Sequence, residues 1–577
     1  MNRKVRKHTF IVILSITVAL CILEYGIVLN KNRNISMEKQ PQLVFSHESG
    51  FYAEEFELEM FCDTNREGRI FYTLDGSEPN TYSLLYEGPI LITDVSLNEN
   101  VHSMRTDVSV GFMEDKIEQY CPDRGTSGYT VPEYKVDKAT IVRAVVYFNE
   151  YQHSEIHTAS YFVGFSEKEG YDGMNVLSIV TNPDNLFDYE TGIYVTGETF
   201  DEYWEVSTED NEQPDDNWLW WSSNYTNRGK EWEREVSCQF FNENRELLLN
   251  QTCGLRIHGG ISRGQNPKGI NLYARESYDG NNRFLYDFWS NDYYASAITL
   301  SQGGNDYYTK LKDSLISELL EDGGLEIALL NFEPYAMFLD GEYWGVYWLC
   351  EKYDEKYVEH YYDVAGNNVI MIKNGAIEAG SQGDFRLWEN MVYTCETLDV
   401  TQEENWNKVC DLIDIESYID YYAVMMYAAR NKDWPNGNYA AWRTKAVDKN
   451  QEYSDGKWRW MVFDMNSPAM STDLIEFDSI EYVMEKNDMF RNLMTNKSFR
   501  QKLLDRMEEL RGNVFDAERV NQLIDEHVSL MKEPLKADQK RFFGIDSDEK
   551  IYSKIAPVRE FFNYRGGYVE QMLEKYR

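Results

Sequence analysis

The spacing of apolar residues changes partway along this chain. Up to about residue 350 they alternate in short runs broken by turn residues, and beyond it they recur at helical spacing. FELEMFC (Phe56–Cys62), TIVRAVVYF (Thr140–Phe148), Glu235–Phe241 with Glu246–His258, and Gly269–Arg275 read as strands. Glu333–Leu339 and Tyr343–Cys350 read as a tight hairpin, because Asp340-Gly341 between them suits a turn with positive φ. Lys310–Glu321, Ile415–Arg430, Arg500–Glu509 and Ala517–Met531 have apolar residues three and four apart and read as helices. Strands first and helices later predict an α+β fold with two lobes.

The first amino acids predict a targeting segment. MNRKVRKH is basic, Thr9–Leu23 is apolar, and Tyr25–Leu29 resumes after Glu24, about enough to span a bilayer. The basic flank puts the N-terminus in the cytoplasm and the rest outside. No small-x-small cleavage pattern follows, so an uncleaved single-pass membrane anchor is expected over a removed signal peptide. The expected divisions are 1–30 for basic tip and transmembrane helix, 31–42 for a linker, 43–166 for a β-sandwich and 170–577 for the main domain. The main domain is expected to be β-rich over 170–350 and mostly helical over 351–577.

With 98 acidic against 57 basic residues the net charge is −41. Such a surface repels nucleic acid and anionic membrane faces, so no nucleic-acid partner is expected, and it would suit a basic protein. The eight cysteines contain no CxxC pair, and no His/Cys group has zinc spacing. The turn at Asn242–Arg245 puts Cys238 roughly opposite Leu249, which disfavours a Cys238–Cys253 bond. The Trp-rich stretch Glu202–Trp232 reads as a surface loop that covers a core edge or binds sugar rings.

Four pieces carry candidate chemistry. In LRIHGGISRGQNPKGINLYAR (Leu255–Arg275) glycines let backbone N–H groups approach an anion, and Arg263 and Lys268 can neutralise it, although a tight hairpin needs glycines anyway. The helix after it carries Asp313, Glu318 and Glu321, one of which could aim Lys268 through an ion pair. Glu351 ends a strand at a possible hinge and could meet a nucleotide or its sugar, or simply belong to a structural hairpin. NKDWPNGNYAAWR (Asn431–Arg443) and MVFDMN (Met461–Asn466) put Asp433, Asn438 and Asp464 around a strand. One carboxylate to orient a hydroxyl, then an asparagine and a second carboxylate to hold magnesium, is what phosphoryl transfer requires. The competing reading of the first stretch is a plain Trp-Pro-Asn-Gly turn. His258, beside the glycines, reads as a satisfied strand histidine. No GxSxG, HExxH or Walker loop competes.

Two family resemblances follow from these stretches. FYTLDGSEPNTYSLLYEGPILIT (Phe71–Thr93) resembles the sandwich at the C-terminus of chitobiases and hexosaminidases, which implies an accessory domain, either a spacer or a glycan- or wall-binding module. VLSIVTNPDNLFDYETGIYVTG, LRIHGGISRGQNPKG, NDYYTKLKDSLISELL, FLDGEYWGVYWLCEKYDEKY, NKDWPNGNYAAWR and WRWMVFDMN resemble, in order, the CotH family of spore-coat-type atypical protein kinases. That resemblance implies a two-lobed protein-kinase-like fold, ATP with magnesium or manganese, and Ser/Thr-rich basic protein substrates. It makes Asp433 the catalytic aspartate and Asn438 and Asp464 the metal residues. It makes Lys268 with Arg263 the basic residues near the phosphates, and Glu351, from its hinge position, joins them as an expected ATP-binding residue. Two departures stand out. Lys312-Asp313 replaces a common Arg-Asp, and Asn466 followed by SPAMS replaces a second acid and a glycine. An inactive nucleotide binder therefore stays open, as does a non-catalytic surface adhesin.

Overall fold

The computed structural model describes residues 42–63, 67–149, 151–168, 170–171, 173–209, 213–321, 323–428, 434–466 and 470–577. The expected membrane anchor, all but the end of the linker, and Asp433 lie outside the described residues. Among the described residues no helix is long and apolar enough to cross a membrane.

The sandwich has one sheet in the order Gly50–Tyr52, His157–Val163, Thr140–Asn149, Arg69–Thr73, Leu84–Leu85. Two short antiparallel pairs, Leu43–Phe45 with Met60–Cys62 and Phe56–Leu58 with Ile90–Ile92, make the other layer. Period-two alternation buries both faces of the large sheet. Val142, Ala144, Tyr161 and Val163 point into the sandwich. Ile141 and Phe162 point the other way and join Val176, Phe241, Phe338 and Tyr343 of the next domain in one core. Phe162 meets Phe338 edge-on at 5.0 Å, and burying each such ring contributes about 1.5–3 kcal/mol. The sandwich is thus packed directly against its neighbour.

That neighbour is a closed seven-stranded barrel in the order Asn175–Val180, Arg234–Phe241, Leu247–His258, Gly269–Tyr273, Ala297–Ser301, Glu342–Glu351, Phe332–Leu339. Parallel pairing of its first and last strands, Leu177 opposite Met337, closes it. Leu255, Ile257, Ile270, Leu272, Ile298, Leu300 and Leu349 fill the interior. Arg256, Asn271, Tyr273, Thr299 and Cys350 alternate with them and point outward. The hairpin at 340–341 forms as expected, with Asp340 at φ 44° and Gly341 at φ 86°. An irregularity between Phe240 and Phe241 shifts the register so that Cys238 faces Gln251 rather than Leu249, and its Sγ lies 3.3 Å from that of Cys253.

The second half holds an antiparallel sheet, Ala376–Ala379, Val369–Lys373, Ala440–Thr444, Arg459–Met461; its last two strands are those expected beside Asn438 and Asp464, and the first two were not expected in the mostly helical half. Helix Ile415–Ala428 packs on it, and helix Lys497–Gly512 packs on that helix, in the largest core of the molecule. Helix Ala517–Phe543 runs back to the barrel, where Asp538 accepts from the Val346 N–H and from Lys310 Nζ. The two halves are mixed α and β, joined at a cleft.

Candidate functional site

The cleft has a volume of about 810 Å³ and runs between the outward face of the barrel and the second sheet. Its barrel wall is polar: Arg256, Asn271, Tyr273, Thr299 and Ser301. Arg256 is held at 2.7 Å by Glu233, which also binds Arg275. Thr299 donates to Asn271 at 2.8 Å.

The glycine turn forms one edge. Gly259 has φ 116°, and a Cβ there would lie 2.3 Å from Ser262 Oγ, so the tight reversal requires glycine. Arg263 braces the turn from within, donating from Nε to the Gly259 carbonyl at 2.8 Å and from Nη1 to the carbonyls of Tyr225 and Asn227 at 3.1 and 3.0 Å. It lines the cleft, but its Nε and Nη1 are engaged by the protein itself. Lys268 lies beneath the turn rather than in the cleft. Its Nζ donates to the carbonyls of Arg263 and Gln265 at 2.7 and 3.0 Å and sits 3.6 Å from the Tyr225 ring centre. Burial pushes its ammonium well below the usual lysine value, and Arg263 adds to that. No helix carboxylate aims it: Asp313 turns to the opposite wall and Glu318 pairs with His527. Strand alternation gives the reason, since Lys268 shares its parity with the inward Ile270 and Leu272.

Other cations occupy the place expected for Lys268. Arg228, which donates to the Gly259 carbonyl at 3.2 Å, lines the cleft with Lys352 and Lys373. The imidazole of His258 beside them is pushed down to about 3, first by desolvation and then by Lys373, Arg263, Lys352 and Arg228. Lys373 is itself lowered by burial, while Glu378 and Asp464 favour its charge, and its Nζ lies 4.3 Å from the Phe463 ring. A lysine ending the apolar strand VIMIK before Asn374-Gly375 was the available signal for it.

Asn438 and Asp464 line this same cleft, and both hold a left-handed backbone, φ 53° and 59°. Asp464 follows the strand Arg459–Met461, and Asn438 precedes Ala440–Thr444, so sheet pairing brings them together. Asp306 accepts the Leu311 and Lys312 N–H groups at 2.8 and 3.0 Å and starts helix Lys312–Glu321, which delivers Asp313. Asp313 accepts from the Met465 N–H and from Asn466 Nδ2, each at 2.7 Å. Its carboxyl is pushed up to about 7 by burial, with Asp464 the next cause.

Glu351 lines the cleft as expected, yet both of its oxygens are occupied. One takes the Asn331 N–H and Nδ2 at 2.9 and 3.1 Å, and the other takes the Tyr361 hydroxyl. Burial pushes it up to about 7. It ties the strand end to helix Glu355–Tyr362. The Trp-rich loop divides its aromatics: Trp218 and Trp221 are buried with Val110 and Phe200, while Trp220, 55% exposed, stands at the cleft rim.

Among the described residues no group of three His, Cys, Asp or Glu side chains forms a metal site. Asn438 and Asp464 do suit magnesium, which takes one or two protein oxygens and completes its shell with phosphate and water.

A family model described as CotH kinase protein matches residues 255–569, more than half of the chain. A second, described as Fn3 associated, matches 58–161, the sandwich. Among curated proteins, none matches this chain.

Proposed function

Since this chain belongs to the CotH kinase family, with a kinase-like function and a general need for ATP and a divalent metal, we propose that it transfers the γ-phosphate of ATP to a Ser or Thr hydroxyl of a protein. The observation that carries this reading is the meeting of two charge patterns in one cleft. Arg228, Lys352 and Lys373 gather near the glycine turn in a chain of net charge −41, while Asn438 and Asp464 line the same space. Cations focused in a cleft attract an anion that the outer surface repels.

In this reading ATP supplies the phosphoryl group, and a bound magnesium or manganese ion would neutralise its oxygens. Asn438 and Asp464 would hold that ion. The backbone N–H groups of the glycine turn would face the phosphates, with Lys373 and Lys352 offsetting their charge. Asp433 would orient the acceptor hydroxyl and take its proton. Substrates would be basic, matching the acidic surface. The apolar stretch Thr9–Leu29 would anchor the protein with its bulk outside the cell.

A second reading, nucleotide binding without transfer, is favoured by Asn466, whose amide is committed to Asp313 where the family resemblance leads one to expect a second acid. One experiment separates the readings. The full chain is incubated with labelled ATP, magnesium and casein beside Asp433→Asn and Asp464→Ala. Transfer abolished by Asp433→Asn supports the kinase. Thermal protection by MgATP that Asp464→Ala removes, without transfer, supports the nucleotide binder. Neither transfer nor protection would overturn both.

A further inference from the structure

The connection between the sandwich strands Ile90–Ile92 and Thr140–Asn149 leaves the sandwich and crosses the barrel. Its near end is fixed by Glu342 of the barrel hairpin, which accepts the Val101 and Ser103 N–H groups at 2.5 and 2.7 Å. His102 stacks on Phe187, ring centres 5.1 Å apart. Its far end returns through Thr130, whose N–H donates to the Phe542 carbonyl at 2.9 Å. Between these anchors it lies under the glycine turn.

Three contacts meet there. Ser109 is fully buried, and its hydroxyl donates to the Gly264 carbonyl. The same oxygen accepts the Gly111 N–H at 3.1 Å, which leaves its proton directed at Gly264. The Val110 N–H donates to the Tyr225 hydroxyl at 3.4 Å. Tyr225 is the residue whose ring lies against the Lys268 ammonium and whose carbonyl accepts from Arg263. The Tyr129 hydroxyl accepts the Asn266 N–H, and its ring packs on Trp218 and Phe543. Gly264 fits closely from the other side, since a Cβ there would lie 2.9 Å from the Leu219 carbonyl.

We infer that the connection 93–139 is a positioning element for the glycine turn, with Ser109 and Tyr129 as positioning residues, so that the N-terminal sandwich sets nucleotide affinity without touching the nucleotide. The effect on affinity rests on the ATP reading above; the effect on the turn does not. Lys268 meets the Arg263 and Gln265 carbonyls and N–H groups inside the turn meet those of Gly260 and Ser262, whereas the Gly264 carbonyl depends on Ser109 of the connection, and a buried acceptor left unmade raises the free energy of that conformation.

The test uses the full chain with Ser109→Ala and Tyr129→Phe, and with Thr73→Ala as control. Thr73 donates to the Ser77 carbonyl at a distant sandwich turn. Hydrogen exchange is read at residues 259–266 and at strand Thr140–Asn149. The expected result is roughly tenfold faster exchange in the turn for Ser109→Ala, and a smaller rise for Tyr129→Phe, with the strand unchanged. The KM for MgATP should rise about fivefold or more at a kcat within about twofold of the parent. An unchanged turn, or equal acceleration in turn and strand, overturns the proposal. A parent protein that ignores ATP overturns the function reading instead, and the exchange result still decides this one.

Discussion

Asn466 donates from Nδ2 to Oδ2 of Asp313 at 2.7 Å, and its Oδ1 accepts the Asn305 N–H at 3.1 Å. The amide therefore bridges the loop after Asp464 to the start of the barrel-side helix, giving a proton to one side and taking one from the other. A carboxylate could not do both. Asn466→Asp should set two carboxylates in contact and remove one charge-assisted hydrogen bond, costing about 1–3 kcal/mol. Urea unfolding of the full chain checks this, and excess magnesium should recover part of the loss by sitting between the acids. An unchanged midpoint would mean that the bridge does not hold the loop.

Two lysines should separate cleanly. Lys268→Met removes hydrogen bonds to two buried carbonyls and should cost about 1–3 kcal/mol of stability, while MgATP still protects the folded variant. Lys373→Met should instead weaken ATP about 10- to 100-fold, because a partly desolvated cation is lost from the cleft wall. Calorimetry of both variants with ATP checks the pair, and the reverse order would put Lys268 at the phosphates after all.

Those two lysines show what the sequence could and could not reveal. Hairpins, helix Ile415–Ala428, the start of helix Ala517–Phe543 and the Asp340-Gly341 turn were legible because each is set by neighbours in the chain, whereas the longest helix, Asp548–Tyr576, was not read. Asn438 and Asp464 were legible as a spacing, and sheet pairing brings them to one cleft. Lys268 was misplaced because it was read with Arg263 as neutralising an anion at the glycines, although its parity with Ile270 and Leu272 pointed inward. Lys373, Arg228 and Arg256 come from elements far apart in sequence, and only the closed barrel and the second sheet assemble them. The barrel itself was hidden, because its closing pair joins strands more than 150 residues apart, with Leu177 opposite Met337.

Asp340 should give a pH dependence of stability. Its carboxyl is pushed up to about 8 by burial, only partly opposed by the Thr181 N–H at 2.8 Å. A carboxyl with a raised folded value contributes stability that is full below its unfolded value near 4 and is lost as pH rises through about 8. Asp340→Asn keeps the left-handed turn, which asparagine tolerates, and has no proton to lose. Relative to the parent, Asp340→Asn should gain at least about 1 kcal/mol between pH 5 and pH 9. Denaturant curves at both pH values check it, and parallel pH profiles for the two proteins would show that Asp340 is ionised in the fold.

The Lys310–Asp538 pair should be costly to break and cheap to replace. The two side chains meet at 2.6 Å, each 1% exposed, and join helix Ala517–Phe543 to the barrel. Asp538 also accepts the Val346 N–H at 2.8 Å, and Gly345 beside it has no room for a side chain, since a Cβ would lie 2.5 Å from Asp538 Oδ1. Asp538→Ala strands a buried ammonium and should cost about 3–5 kcal/mol. Lys310→Met with Asp538→Leu removes both charges and should cost less than the single change, leaving mainly the Val346 N–H and carbonyl without their side-chain partners, at about 1–3 kcal/mol. Lys310→Met alone, which leaves a buried carboxylate, should fall nearer the first value. Urea midpoints for the three variants give the comparison. A double variant as unstable as the sum of the singles would mean that the two charges act independently, and that packing rather than the ion pair holds this helix across the two halves.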